Sequence, residues 1–98
     1  MYSMENLLTL IHTEQARGLK IRPGSPPVVE AGENRHALEG PPITGEAARM
    51  LLRSMANTRQ MRELETRGDV TFIYTLQGVS RFLIRAKMEG DNVVFVVQ

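Results

Sequence analysis

The side chains of this chain that could act as acids, bases or metal ligands are few and lie apart in the sequence. The only two histidines are His12 and His36, and no cluster of carboxylates or further imidazoles at metal-ligand spacing surrounds either one. Glu63 and Glu65 are two positions apart in a predicted helix, so their side chains would leave the helix on different faces. We therefore expect no general acid–base pair and no metal site.

Nucleophilic and phosphate-binding motifs are also missing from the sequence. The chain has no cysteine, which excludes disulfides and a thiolate nucleophile. Ser25 and Ser80 fall at predicted turns, and neither has a base close to it in sequence. No Gly-x-x-x-x-Gly-Lys-Ser/Thr loop is present to hold the phosphates of a nucleotide. We expect this chain to have no enzymatic activity of its own and no cofactor, so its function should be one of binding.

Basic residues offer the clearest candidate for a binding surface. They occupy the polar positions of two predicted strands, so they would share one face if both strands lie in one sheet. We interpret this face as a docking surface for an acidic partner, a motor domain or a phosphate-bearing ligand. The alternative is an ordinary solvated sheet face. The five cations are Lys20, Arg22, Arg81, Arg85 and Lys87.

Composition narrows the class of partner. The formal net charge is +1, so the chain lacks the basic excess of a dedicated nucleic-acid binder. Aromatic residues make up 5% of the chain, which leaves few side chains on which bases could stack. No signal peptide is visible, and no apolar run approaches the roughly 20 residues of a membrane span. We expect a protein partner rather than a nucleic acid, no direct membrane insertion and a cytoplasmic location.

Hydrophobic periodicity predicts three helices that could position these residues. The first runs from Met4 to about Gln15 or Ala16, with Ser3 as its N-cap and Gly18 as the residue that ends it. The second begins after its cap Thr44 and runs to about Ala56, and the third begins at its cap Thr58 and runs to about Arg67, where Gly68 ends it.

Period-two alternation and turn residues predict about six strands in a mostly antiparallel sheet. Together with the helices they predict an α+β fold in a single domain spanning residues 1–98. The last strand is continuously apolar, which is typical of a strand covered on both faces. At a sheet edge, the same strand would favour pairing with a second copy. The predicted strands are Leu19–Arg22, Val28–Ala31, Arg35–Leu38, Asp69–Leu76, Arg81–Met88 and Val93–Val97.

Two proline-bearing loops frame the second and third predicted strands. Proline has no amide hydrogen for a sheet ladder, so it belongs at a turn or at the first residue of a strand. We assign both loops a structural role, the first of them setting the register of the strand that begins at Val28. The loop residues are Gly24, Ser25, Pro26 and Pro27, and Gly40, Pro41 and Pro42.

The order and spacing of these motifs resemble the N-terminal, PAS-like domain of the pilus retraction and type II secretion ATPases, the PilT/GspE family. The resemblance covers nearly the whole chain, and it implies a PAS-like fold that in this family precedes an ATP-binding motor domain. The matching segments are Gly24-Ser25-Pro26-Pro27-Val28, Gly40-Pro41-Pro42-Ile43-Thr44, Gly68-Asp69-Val70-Thr71-Phe72-Ile73-Tyr74 and Gly78-Val79-Ser80-Arg81-Phe82.

The resemblance implies a non-catalytic interaction or regulatory module of a type IV pilus (twitching motility) or type II secretion machine. Its partner would be a protein, with the motor domain of such an ATPase as the first candidate. Two alternatives stay open: the chain is the N-terminal fragment of a full-length ATPase, or it is a sensor of a small ligand or nucleotide. A homodimer formed through strand addition or the sheet face is a further hypothesis.

Overall fold

A computed structural model describes residues 2–98, and it consists of three helices and a six-stranded sheet in that range. The predicted α+β class is confirmed. The elements in chain order are α1 (Met4–Thr13), β1 (Gly18–Ile21), β2 (Val28–Ala31), β3 (Asn34–Ala37), α2 (Gly45–Arg53), α3 (Thr58–Arg67), β4 (Asp69–Leu76), β5 (Ser80–Glu89) and β6 (Asn92–Val97).

The sheet has the strand order β3-β2-β1-β6-β5-β4, and every neighbouring pair is antiparallel. The prediction that the last three strands lie side by side is confirmed, as is the hairpin of β2 and β3 between the proline-bearing loops. The hypothesis that the apolar strand Val93–Val97 lies at an edge is wrong. β6 is central, because β1 occupies one side of its backbone and β5 the other.

The three helices pack against one face of the sheet, which we call the inner face. Strand side chains alternate between the two faces, so Leu19 and Ile21 of β1 point inward while Lys20 points outward. The helices contribute their apolar stripes to the same core, because an amphipathic helix must bury that stripe against another element. The largest fully buried side chains include Phe95, Leu8 and Leu52.

The first helix ends earlier than its sequence pattern predicts. Ser3 caps α1 as predicted, its Oγ accepting a hydrogen bond from the Asn6 amide at 3.1 Å. The helix stops at Thr13, and Gln15 has the left-handed backbone conformation with φ 54°. The prediction that Gly18 ends this helix is wrong, because Gly18 is the first residue of β1 and is buried.

The caps of the other two helices follow the sequence more closely. Thr44 caps α2 as predicted, although the helix ends at Arg53 rather than near Ala56. The cap of α3 is Asn57, one residue before the predicted Thr58. Asn57 Oδ1 accepts from the Gln60 amide at 2.8 Å while Gln60 Oε1 accepts from the Asn57 amide at 2.9 Å, which is a complete capping box. Gly68 ends α3 in the left-handed conformation, as predicted.

The two proline-bearing loops are hydrogen-bonded to each other. The Gly24 amide donates to the Ile43 carbonyl at 2.8 Å, and the Ile43 amide donates to the Ser25 carbonyl at 2.9 Å. Gly24 has φ 91°, a conformation that favours glycine. Between these bonds and the hairpin, the Leu38 amide donates to the carbonyl of Pro27 at 2.9 Å, which continues the β2–β3 ladder by one step at its open end.

Candidate docking site

The outer face of the sheet, opposite the helices, carries the predicted basic surface. Lys20 of β1 and Arg85 of β5 both lie directly opposite Val96 of β6, one on each side of it. Arg22 lies on the same face as Lys20, two residues further along the chain. Lys87 of β5 lies opposite Val94, the next outward residue of β6. Four of the five predicted cations therefore surround a short stretch of the central strand.

These four cations line one shallow depression of about 350 Å³. Its floor is formed by Val94 and Val96, and its side on β4 by Asp69 and Thr71. Val94 is only 4% exposed although it does not belong to the core that the helices cover. Long basic side chains commonly lay their methylene stems over apolar neighbours while the charged ends stay in water, which accounts for this burial.

The sequence predicted that the apolar strand β6 would be covered on both faces. This prediction is wrong, because helices cover only its inner face. No helix among the described residues packs on the outer face, since the helical side chains in the core meet the inner-face residues of the strands. Val94 and Val96 are sheltered by neighbouring side chains alone, which a partner could displace or contact.

Two carboxylates moderate the positive charge of this face. Glu89 accepts a hydrogen bond from Arg22 Nη1 at 2.9 Å and forms an ion pair with Lys87 Nζ at 3.4 Å. The hydrogen bond from Arg22 lowers the pKa of Glu89 below its ordinary value; Lys87 adds to this effect and partial desolvation opposes it. Asp69 is the second carboxylate. Lys20 and Arg85 have no ion-pair partner among the described residues.

The fifth predicted cation lies apart from the other four. Arg81 is opposite Thr75 near the start of β5 and lines a different depression, together with His12 and Arg17. It points to the outer face like Arg85, but the two are four residues apart along the strand, about 13 Å in extended chain. The structure thus brings together Lys20, Arg22, Arg85 and Lys87 as one cluster, and we use the name basic cluster for these four residues.

The histidines and serines considered above do not form a site. His12 lies on α1 and His36 on β3, both exposed, and no group of three potential metal ligands occurs among residues 2–98. Ser25 Oγ donates to the Pro26 carbonyl at 2.8 Å, a local turn contact. Sequence reasoning missed the floor valines and Glu89 as parts of the site. The outward residues of β6 could be recognised as part of the site only after the structure showed which strands lie beside it.

This fold occurs in solved structures of other proteins. The crystal structure of the pilus retraction motor PilT with bound ADP aligns with a TM-score of 0.90 and 21% sequence identity, covering 100% of this chain and 29% of the PilT chain. The X-ray structure of the Legionella pneumophila ATPase DotB aligns with a TM-score of 0.82 and 17% identity, covering 99% of this chain and 29% of DotB. The predicted resemblance is confirmed at the level of the fold.

The chain thus spans less than a third of either solved protein. No protein-family model matches the sequence, and no curated protein matches it significantly. None of the helices described is long and apolar enough to cross a membrane.

Proposed function

We propose that this chain is a non-catalytic interaction or regulatory module related to the ATPases of type IV pili and type II secretion, acting in the cytoplasm. The fold shared with PilT and DotB supports the relation to such motors. The basic cluster supports binding as the activity, because the types and placement of its side chains suit a docking surface rather than a reaction.

The observation that carries the proposal is the basic cluster around an apolar floor on the face that the helices leave free. An acidic partner surface would gain from steering by the cations and from covering Val94 and Val96. Because Glu89 engages Arg22 and Lys87, the cations best placed to meet a partner's carboxylates are Lys20 and Arg85. We propose the motor domain of a pilus or secretion ATPase as this partner.

The test is binding between this chain and the separately purified motor domain of a PilT-type ATPase from the same genome. The double variant Lys20→Glu/Arg22→Glu should lower the affinity by more than about tenfold, since it reverses the charge of Lys20 and replaces the arginine that pairs with Glu89 by a second carboxylate, and both changes would oppose an acidic partner. The matched control is Arg59→Glu/Arg62→Glu, which makes the same charge change on the exposed side of α3. An equal loss of affinity in both double variants, or no binding of the motor domain by the unaltered chain, would refute the docking role of this face.

A second candidate is that the chain forms the N-terminal part of a longer ATPase. It is favoured by the coverage, which is complete for this chain and 29% for each solved ATPase. The reading frame after Gln98 tests it, because a phosphate-binding Gly-x-x-x-x-Gly-Lys-Ser/Thr loop should then follow within about one domain length.

The third candidate, a small-ligand or nucleotide sensor, would use the same depression, because Lys20 and Arg85 could hold a phosphate there. Thermal unfolding in the presence of ADP, ATP or a cyclic dinucleotide tests this candidate. A ligand that binds the folded chain should raise its melting temperature. Unchanged melting with each nucleotide at millimolar concentration would exclude that class of ligand.

A further inference from the structure

Strand β4 lies at one end of the sheet, and one of its backbone edges pairs with no other strand. It pairs with β5 along its whole length, from Asp69 opposite Lys87 to Leu76 opposite Ser80, and it ends the strand order. Because the sheet does not close on itself, the backbone groups on the other edge of β4 have no strand to pair with.

The direction of each amide in β4 follows from the ladder. The Met88 amide donates to the Gly68 carbonyl at 2.9 Å, so the even-numbered residues of β4 exchange hydrogen bonds with β5. On the other side of β5, Leu83 exchanges hydrogen bonds with Gln98 in both directions, at 3.0 and 2.9 Å, as this alternation requires. The odd-numbered residues of β4 therefore direct their amide and carbonyl groups to the free edge.

These outward groups form a continuous, unpaired row. None of them takes part in a hydrogen bond with any other element of residues 2–98. The side chains of the same residues are exposed on the outer face, and Ile73 in the middle of the row is 51% exposed. The four residues are Asp69, Thr71, Ile73 and Thr75.

This edge has few of the features by which proteins usually prevent strands from pairing with other chains. Such features include short length, proline, charged side chains (especially lysine) or a bulge at the edge. β4 has eight residues, no proline and no lysine, and Asp69 is its single charge. The opposite edge of the sheet is protected by comparison, because β3 has four residues and its Arg35 forms an ion pair with Glu30 of β2. The contrast marks β4 as an edge that can accept a partner strand.

The side chains beside the edge specify what that strand should carry. On the outer face, the residues of β5 directly opposite Thr71, Ile73 and Thr75 of β4 are Arg85, Leu83 and Arg81, respectively. A strand added to β4 would lie roughly 10 Å from β5, which is two strand spacings. Threonine is short, so each arginine can extend over it and meet a carboxylate on the added strand, whereas Ile73 and Leu83 offer an apolar contact between the two arginines.

We propose that the free edge of β4 binds an extended acidic segment of a partner protein as a seventh strand. The segment would carry the pattern acidic-x-apolar-x-acidic, with its apolar residue over Ile73 and its two carboxylates at Arg81 and Arg85. Main-chain hydrogen bonds to Thr71 and Ile73 give affinity, and the alternating side chains give specificity. The inference deepens the proposed function, with which it shares an acidic partner and Arg85, but it uses β4 instead of Lys20 and Arg22.

The probe is the acetylated and amidated peptide Thr-Glu-Thr-Val-Thr-Glu-Thr, titrated into the chain and followed by calorimetry and by NMR amide exchange. Binding should slow exchange at the outward amides of Thr71 and Ile73. Thr71→Pro should weaken binding by about tenfold or more, because it removes one outward donor and obstructs the edge. The same substitution at the opposite free edge, Ala37→Pro on β3, is the matched control and should leave binding unchanged.

Two further comparisons and three contrary outcomes decide the proposal. A peptide with both glutamates replaced by lysine should bind at least about tenfold more weakly, because it would face two arginines. The double variant Lys20→Glu/Arg22→Glu should keep its affinity for the glutamate peptide, which separates this edge from the docking face of the proposed function. Absence of peptide binding, protection confined to the basic cluster, or self-association that Thr71→Pro abolishes would overturn it, the last by showing that the added strand comes from a second copy.

Discussion

Gly18 and Val97 approach so closely that a Cβ atom added to Gly18 would lie 2.5 Å from the Val97 carbonyl oxygen. The two residues belong to β1 and β6, the first and last strands of the chain, which pair at the centre of the sheet. The glycine that the sequence suggested as a helix end is thus needed where the two ends of the chain meet.

Gly18→Ala should destabilise the fold by about 1–3 kcal/mol, because a backbone carbonyl in a paired strand cannot move aside without distorting the ladder. Urea unfolding followed by circular dichroism measures the change. Gly45→Ala is the control. Its added Cβ would also be close to an oxygen, at 2.6 Å, but this is Asn92 Oδ1 at the end of a side chain that can rotate. A loss at Gly45 as large as that at Gly18 would contradict the explanation.

Asn57→Ala should cost about 1 kcal/mol of stability, because it removes the side-chain half of the capping box at the start of α3. Thr58→Ala, one residue later, should change stability by less than about half that amount, since Thr58 is a first-turn residue rather than the cap. Denaturation midpoints of the two variants test the assignment. A larger loss of stability in Thr58→Ala than in Asn57→Ala would show that Thr58 is the cap.

Phe95→Ala should destabilise the protein by about 3–5 kcal/mol, because Phe95 lies in the central strand and is fully buried under the helices. Val96→Ala, its neighbour on the outer face, should cost less than about 1.5 kcal/mol, since that side chain is half-buried and no helix covers it. Equilibrium unfolding of the two variants measures the contrast between the two faces. Similar losses would mean that the outer face is packed as tightly as the core.

The Glu89 carboxyl should titrate below the ordinary pKa of a glutamate, and Arg22→Ala should move its pKa upward, because the hydrogen bond from Arg22 is the main cause of the lowering. A carboxyl with a lowered pKa in the folded state stabilises the fold above the pKa of the unfolded state, and this contribution is lost as pH falls through the folded pKa. The stability that the Glu89–Arg22 pair contributes is therefore lost at acid pH. The loss is small, since both side chains of the pair are exposed.

A carbon-detected NMR titration of the Glu89 side chain measures this pKa in both proteins. Lys87→Ala should raise it by a smaller amount than Arg22→Ala, since the ion pair with Lys87 is longer. An unchanged titration in the Arg22 variant would show that the ion pair is not formed in solution.

The candidate site was predictable in part. Alternation along each strand predicted that Lys20 and Leu19 point to different faces of the sheet, and likewise Arg85 and Ile84. Both predictions are correct. The sequence could not show that Val96 separates Lys20 from Arg85, or that Arg81 lies apart from the other cations. Those facts depend on which strands are neighbours and in what register they pair. A shift of one residue in the register would move every side chain of the strand to the other face of the sheet.

The helices and strands themselves were set by local chemistry: apolar periodicity, the caps Ser3 and Thr44, the glycine at 68 and the prolines before β2. These signals act within a few residues, so the sequence alone determined nearly every element and the α+β class. The tertiary structure decided what depends on contacts between distant residues. It placed β6 in the centre of the sheet rather than at its edge, used Gly18 for close strand packing, and left β4 as a long edge strand with one side unpaired. Such pairings are selected by the packing of the whole core, and no local pattern in the chain records them.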